Sequence, residues 1–523
     1  MFKQCRGDPV GRPYTERCNP PYLHVSFLGK LSLRITDDMK LVQHLDYLFN
    51  PQSVAVIGAS SIPGKWGCDI LNLLLTRGER KVYPINKNRA EVLGVKAYSS
   101  IREVPGPVDF AVITVSAEAL PAAMEDCVQK GVKTALVISG GFAEIGVDGA
   151  KLEQEVVEIA KRGGIRFIGP NCAGYLDTSS ELFTAPYLPP MRNGPVAFVS
   201  QSGNLGLPVL AMGYEAGLGF SKYISSGNEA DLHFEDYLEY LGQDEETRLI
   251  MGYVEGLREG RRFLELSREI TKRKPVVIMK VGRTDSGARA CCSHTAALSG
   301  SDEICDAAFK QSGVIRVEEV RDLVEAALVL LSQPLPRGKR VAVLTVGGGL
   351  GVVAADALRR YGLEVPPLSP ATMERLDSVL SGRWSRGNPV DGSGDLSYPG
   401  LLPLLEDENI DAVIIAGPVW APVGFSAFMS TPPWERDNLS DLDQVLQGVE
   451  EESLRNLEVT MQLMKQYQKP VVLSVWVTYD VKSGELYRKL ERNYLTPYPT
   501  PDRAAKALAR LVEYSEYLGI ARP

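Results

Sequence analysis

The sequence predicts an α/β protein of three consecutive doubly wound domains. Three observations predict it. Short apolar runs alternate with longer amphipathic ones from Ser53 onward. Two Pro/Gly-rich passages, APYLPPMRNGP (185–195) and QPLPRGK (333–339), divide the pattern into three series. Several of the apolar runs end in Gly, Ser or Asn, as strands do when they feed tight turns into helices. At ~150 residues per domain, 523 residues fit the same count.

The first series holds SVAVIGAS (53–60), KVYPIN (81–86), DFAVITV (109–115), TALVIS (134–139) and IRFIGPN (165–171), giving a domain over 40–182. Continuous apolar runs of this length, joined by helical links, read as parallel strands covered on both faces. The second series, over 190–333, holds VAFVS (196–200), FSKYISS (220–226), IMGYVE (250–255) and PVVIMKV (275–281). The third, over 338–523, holds RVAVLTVGG (340–348), DAVIIAG (411–417) and PVVLSVW (470–476), and ends on a helix at 502–518. Inside it, about 426–460 is charged and Trp-bearing and reads as a solvated helical excursion. Residues 1–39 lack periodicity and are read as an unstructured leader or a misassigned start, with Met39 as the true one.

Composition excludes some functions. A net charge of −8 argues against nucleic acid as the main partner, because a phosphate backbone needs a basic surface. No run of about 18 uncharged apolar residues is present, so no membrane span is expected. The eight Cys form no CxxC pair, so neither a zinc knuckle nor a disulfide framework is expected and no metal site is assigned. Reduced thiols in a cytoplasm are the ordinary reading.

In the first domain, the first strand runs into Gly58, Ser60, Gly64 and Gly67. Small residues there let backbone N–H groups and the next helix's N-terminus approach a phosphate. The spacing is not GxGxxG, and a tight β–α turn is the plain alternative. A nicotinamide site wants an acidic residue after the second strand. Here Asn86 is followed by Lys87, Asn88 and Arg89, whose charge suits an extra ribose phosphate, as in coenzyme A or NADP; a solvated loop is the alternative. Ser139, Gly140, Asn171 and Cys172 load two more strand ends and complete the expected cofactor site, although a packed thiol is the ordinary role for Cys172.

In the second domain, SQSGNLG (200–206) follows a strand and opens a helix. Ser200 and Ser202 are natural N-caps and Gly203 leaves N–H groups exposed, which makes a phosphate site or an ordinary cap. The segment GRTDSGARACCSHTAALSG (282–300) reads as a flexible glycine-flanked loop holding His294, one of four His in the chain. An imidazole so placed can take a phosphoryl group as nucleophile. A carboxylate would orient it, and Glu255 ends the preceding strand; Glu229 in SSGNEAD (225–231) is the second candidate.

These motifs, GPNC, SQSG, SSGNEAD and GRT…SHT…LSG, with AAFKQSGVIRV (307–317), GGGLG (347–351), NPVDGSGD (388–395) and YPTPDRAAKAL (498–508), resemble the ADP-forming acyl-CoA synthetases of the succinyl-CoA synthetase superfamily over about 40–523. The resemblance implies a Rossmann-like CoA-binding domain followed by two flavodoxin-like CoA-ligase domains. It implies coenzyme A in the first domain, a transient phosphoryl group on His294, support from Glu255, and phosphate held at Ser200, Ser202 and Gly203. The expected reaction is acyl-CoA + ADP + phosphate ⇌ carboxylic acid + CoA + ATP, with acetate or a related small acid. No segment reads as an ATP-grasp domain, so ATP/ADP and Mg²⁺ are expected on an ATP-grasp beta-type partner subunit in a hetero-oligomer. Two departures stand out: Ala296 replaces the usual Gly after SHT, and Cys291-Cys292 replace small residues. A CoA-binding regulatory or scaffold protein without turnover is the competing reading, and an NAD(P) oxidoreductase a third.

Overall fold

The computed structural model describes residues 38–295, 301–380, 382–392, 398–417, 439–474 and 485–521. Of the leader read over 1–39, residues 1–37 lie outside them, as do Ala296 and the rest of 296–300.

Strands β1 (Ser53–Ile57) and β2 (Lys81–Ile85) open the first sheet, and a small ribbon, β3 (Glu91–Val92) with β4 (Val95–Lys96), follows. With β5 (Phe110–Ile113), β6 (Thr134–Val137) and β7 (Arg166–Ile168) the sheet runs β2-β1-β5-β6-β7, all parallel. β1, β5 and β6 are buried at every residue. That explains their unbroken apolar character: each fully buried Val or Ile contributes ~1.5–3 kcal/mol.

β8 (Tyr175–Asp177) and β9 (Leu182–Phe183) were not expected from the sequence. They lie in the span read as the first domain, yet pair antiparallel on the edge of the second sheet, Asp177 opposite Lys222. Each is too short to show a period. Their anchor is buried charge: Lys222 Nζ lies 3.2 Å from Asp177 and 2.9 Å from Asp244. The parallel part of that sheet is β10 (Asn193–Ser200), β11 (Phe220–Ser225), β12 (Leu249–Val254), β13 (Val276–Lys280) and β14 (Ile315–Arg316), in the order β14-β13-β12-β10-β11. The third sheet is β15 (Val341–Thr345), β16 (Val390–Asp391), β17 (Ala412–Ala416) and β18 (Val471–Ser474), ordered β16-β15-β17-β18 and parallel.

The solvated excursion needs correction. Residues 418–438 lie outside the description, but Leu439–Tyr467 is a single helix, and Leu457 and Met464 are buried in the third sheet's core. From 450 to 467 its charged residues lie on the outer face of an amphipathic helix. Residues 41–523 form one compact unit. Apolar clusters join the first sheet to the second through Val54, Ile70, Phe234 and Ile250, and the second to the third through Phe198, Leu328, Val343 and Leu508.

Each sheet reverses its strand order once: between β1 and β5, between β10 and β12, and between β15 and β17. Ligands of open parallel sheets sit beyond the C-terminal strand ends at such reversals.

Candidate functional site at two strand-order reversals

At the first reversal, Gly58 has φ +93°, and a Cβ on Gly67 would lie 2.1 Å from the Gly58 carbonyl oxygen. Only glycine lets the helix Trp66–Thr76 start this close to the strand. Lys65 at its N-cap makes no side-chain capping bond. Ser60 and Gly64 serve the turn itself: Ser60 Oγ accepts from Ile62 N at 3.1 Å, and Gly64 N donates to Asp69 Oδ1 at 3.2 Å. Asn86 Nδ2 donates to Ala59 O at 2.8 Å and ties the second strand end to this turn. Lys87 and Arg89 are exposed beside it.

The turns after β6 and β7 lean on each other. Asn171 N donates to Ser139 O at 2.8 Å, and a Cβ on Gly140 would meet Asn171 Oδ1 at 3.1 Å. The Ser139 hydroxyl donates to Val115 O. Cys172 is buried, its thiol donates to Val137 O at 3.2 Å, and burial pushes it up to about 12. It is a packed thiol at the strand end.

At the second reversal, Ser202 caps the helix Gly203–Glu215, its side chain accepting from Leu205 N at 3.4 Å. Ser200 is fully buried and its hydroxyl donates to Ser202 O at 2.6 Å. A Cβ on Gly203 would lie 2.6 Å from Ala173 Cβ, so this glycine also brings the helix against the GPNC turn of the first sheet. Glu255 follows β12 and is buried. Burial, the Glu255 carboxylate and nearby Cys291 push the Tyr253 hydroxyl up, so Glu255 and Cys291 share one neighbour.

Cys291 stands three residues before His294 on a helix, Asp285–Thr295. This corrects the expected flexible loop. Gly287 is the one glycine inside it, and Thr284 starts it, its Oγ1 accepting from Gly287 N at 3.1 Å and its carbonyl from Ala288 N at 2.7 Å. The backbone of His294 therefore lies in a helix's last turn; its side chain and that of Cys292 lie outside the described residues. The helix lies against the turn Ala143–Ile145 beyond β6. β12 and β13, which lead to Glu255 and to this helix, are paired neighbours, as the sequence reading required.

The C-terminal turns of the first two sheets meet at Asn228, Glu144 and Glu153, which the sequence reading did not single out, together with Asn171 and Glu229, which it did. Asn228, in SSGNEAD, donates its amide to Glu144 Oε2 at 2.6 Å and Glu153 Oε2 at 2.9 Å, and accepts from Asn171 Nδ2 at 3.3 Å. Arg258 donates to Asn228 O at 3.1 Å. Burial opposes the Glu144 carboxylate, but Asn228 and the N–H groups of Gly141 and Phe142 outweigh it and hold it below the usual range. Glu229 accepts from Gln201 Nε2 at 2.8 Å and Ser226 Oγ at 2.7 Å, and burial pushes it up to about 8. The signal for Gln201 was present in the sequence, between the two serines of SQSG. Asn228 lay inside the SSGNEAD motif, but nothing local marked it as a bridge to the first sheet, and nothing marked Glu144.

No group of metal-ligating side chains occurs among the described residues, and no helix among them is long and apolar enough to cross a membrane.

A domain family described as CoA binding domain matches residues 52–177, and one described as succinyl-CoA ligase like flavodoxin domain matches 193–330. The chain is 39% identical to acetate–CoA ligase [ADP-forming] II subunit alpha of Pyrococcus furiosus, over 91% of this chain and 99% of that one. It is 43% identical to acetate–CoA ligase [ADP-forming] I of Archaeoglobus fulgidus, over 71% of this chain but 54% of that longer one. The solved acetyl-coenzyme A synthetase 1 of Ca. Korarchaeum cryptofilum, in complex with phosphate and ADP, matches with a TM-score of 0.77 at 33% identity, over 91% of this chain and 98% of that one.

Proposed function

Because the chain belongs to the family of ADP-forming acetate–CoA ligase alpha subunits, we propose that it binds coenzyme A at the first strand-order reversal and carries a phosphoryl group on His294 beside the second. The reaction is acyl-CoA + ADP + phosphate ⇌ carboxylic acid + CoA + ATP. The observation that carries this reading is the junction between the C-terminal turns of the first two sheets: Asn228 is bonded at once to Glu144, Glu153 and Asn171, and the helix of His294 lies against Ala143–Ile145. A thioester held at the first sheet would then be within reach of a group carried on that helix.

The fit to coenzyme A rests on the close turn at Gly58 and Gly67, the uncapped helix start behind it, and the exposed cations Lys87 and Arg89, which suit its 3′-phosphate. Ser60, Gly64, Ser139, Gly140, Asn171 and Cys172 shape this crevice through their own turns and packing rather than through free side-chain donors. The helix start at Ser202 and Gly203 supplies backbone N–H groups for a phosphate, with Ser200 bracing the turn. Glu255 supplies the negative charge that stabilises an imidazolium on His294. Phosphate displaces CoA from the thioester to give an acyl phosphate, the imidazole takes its phosphoryl group and releases the carboxylate, and the phosphoryl group then passes to ADP on an ATP-grasp beta-type subunit, where Mg²⁺ would offset the phosphate charge. A scaffold without turnover needs no buried carboxylate at this strand end, and the relatives are named as ligases.

The test is to incubate the complex with radiolabelled ATP and follow label on this chain. Phosphohistidine is acid-labile and base-stable. His294→Asn is expected to abolish the label and leave CoA binding intact; an acid-labile label that survives in His294→Asn places the carrier elsewhere.

A further inference from the structure

We infer that Gln201 is a positioning residue for this reaction: its side-chain amide fixes the Glu255–Gly256 turn, and Glu229 fixes the amide. The inference rests on the reading of Glu255 given above. β10 and β12 are the strands that flank the second reversal, and their ladder ends with Gln201 N donating to Tyr253 O at 3.2 Å. Beyond that point the Gln201 side chain stands in for backbone. Its Oε1 accepts from Glu255 N at 2.5 Å and Gly256 N at 3.1 Å, and its Nε2 donates to Gly256 O at 2.8 Å. The remaining Nε2 hydrogen goes to Glu229 Oε2 at 2.8 Å, on the turn that follows β11.

The orientation of the amide is forced. Two backbone N–H donors converge on one end and require oxygen there, while a carbonyl and a carboxyl group at the other end require hydrogen. All four hydrogen-bonding positions of the amide are filled, and Gln201, Glu229 and Glu255 are each no more than 5% exposed. The Glu255 carboxylate therefore hangs from a backbone that cannot shift without breaking bonds inside a dry site. Catalytic groups displaced by about 1 Å lose on the order of 10²-fold in rate. The tether has a second end: Ser226 Oγ donates to Glu229 Oε1 at 2.7 Å, and Ser226 N donates to Ser200 O at 2.9 Å, closing the ring back onto the strand that bears Gln201.

The experiment uses the full chain with its partner subunit. Acid-labile labelling rate, kcat and KM for CoA are measured for Gln201→Met, Gln201→Glu, Glu229→Leu, Glu229→Gln and Glu255→Gln. Gln201→Met keeps the volume and loses the amide. It is expected to lower the labelling rate and kcat by roughly 10–100-fold and leave KM for CoA within about twofold. Gln201→Glu keeps the accepting oxygen and loses the donor, and is expected to fall between wild type and Gln201→Met. Glu229→Leu should lose about tenfold more rate than Glu229→Gln, since only glutamine keeps an oxygen for Nε2. A Gln201→Met rate within about threefold of wild type, while Glu255→Gln is impaired, overturns the inference and leaves the role of Glu255 standing. If Gln201→Met does not fold, an unimpaired Gln201→Glu overturns it instead. If Glu255→Gln labels normally, the reading of Glu255 falls, and this inference with it.

Discussion

Replacing Gly67 by alanine puts the proposed CoA crevice under direct test. The added Cβ would sit 2.1 Å from the Gly58 carbonyl oxygen, 2.9 Å from its carbon and 3.0 Å from Thr114 Oγ1. An ordinary C···O contact is about 3.3–3.6 Å, so the helix start has to retreat by about 1 Å. The atom it meets is the backbone carbonyl of the turn that ends β1, which Thr114 Oγ1 and the Gly58 N–H bond to Ile85 O hold in place. That helix buries Cys68, Ile70, Leu71 and Leu74, and a gap of this size forfeits a quarter to a half of each contact's dispersion well. Overpacking costs ~1–3 kcal/mol, with backbone clashes at the upper end, against ~1 kcal/mol gained from alanine's helix propensity. The expected net loss is about 2 kcal/mol, a fall in Tm of roughly 2 °C for a cooperative unit of this size. The retreat also carries the helix-start N–H groups beyond hydrogen-bonding range of a phosphate, so CoA affinity should fall at least about tenfold. Calorimetric unfolding and titration with CoA measure both. Gly64→Ala is the control: φ there is +81° and no atom lies within 4 Å of the new Cβ, so it carries only the ~1–2 kcal/mol of a left-handed alanine. A Gly67→Ala protein as stable as wild type, or less affected than Gly64→Ala, would refute the reasoning.

Burial pushes Glu229 up to about 8 from an ordinary 4.5, so the folded protein holds this proton more tightly than the unfolded chain. The resulting stability is fully present below pH 4.5 and is lost as pH rises through about 8; Glu229→Gln cannot titrate, so its Tm should gain on wild type from pH 5 to pH 8, and a constant gap counts against the burial argument. Lys87 is exposed beside the first reversal, and Lys87→Ala should weaken CoA by roughly 3–10-fold in low salt yet barely change dephospho-CoA. Equal losses for the two ligands, by calorimetry, would free Lys87 of the 3′-phosphate. The Cys172 thiol, buried and raised to about 12, should resist iodoacetamide at pH 8 in the folded chain, and stoichiometric alkylation there by peptide mass mapping would contradict its packing.

Local pattern alone carried a large part of the architecture. The runs at 53–60, 109–115 and 134–139 became buried parallel strands because an apolar stretch bounded by small residues has few other stable uses in a helix-covered sheet. The strand ends that bear Ser200, Glu255 and Gly58 were legible for a related reason, since each marks where an apolar run gives way to small or polar residues. Polar composition misled in two places. Residues 282–300 read as a flexible loop, but 285–295 are helix; the helical excursion expected over about 426–460 was read as solvated, yet its helix buries Leu457, because polarity reports the outer face and leaves the inner one unmeasured. Strand order, which puts Ser200 and Glu255 on either side of a reversal, was set only by the packed sheet. So were the partners of Gln201 at 28, 54 and 55 residues' separation and of Asn228 at 75 and 84. A hydrogen bond across that much chain leaves no periodicity in sequence. It exists only once burial has removed water and forced each amide to find its partner among whatever the fold brings near.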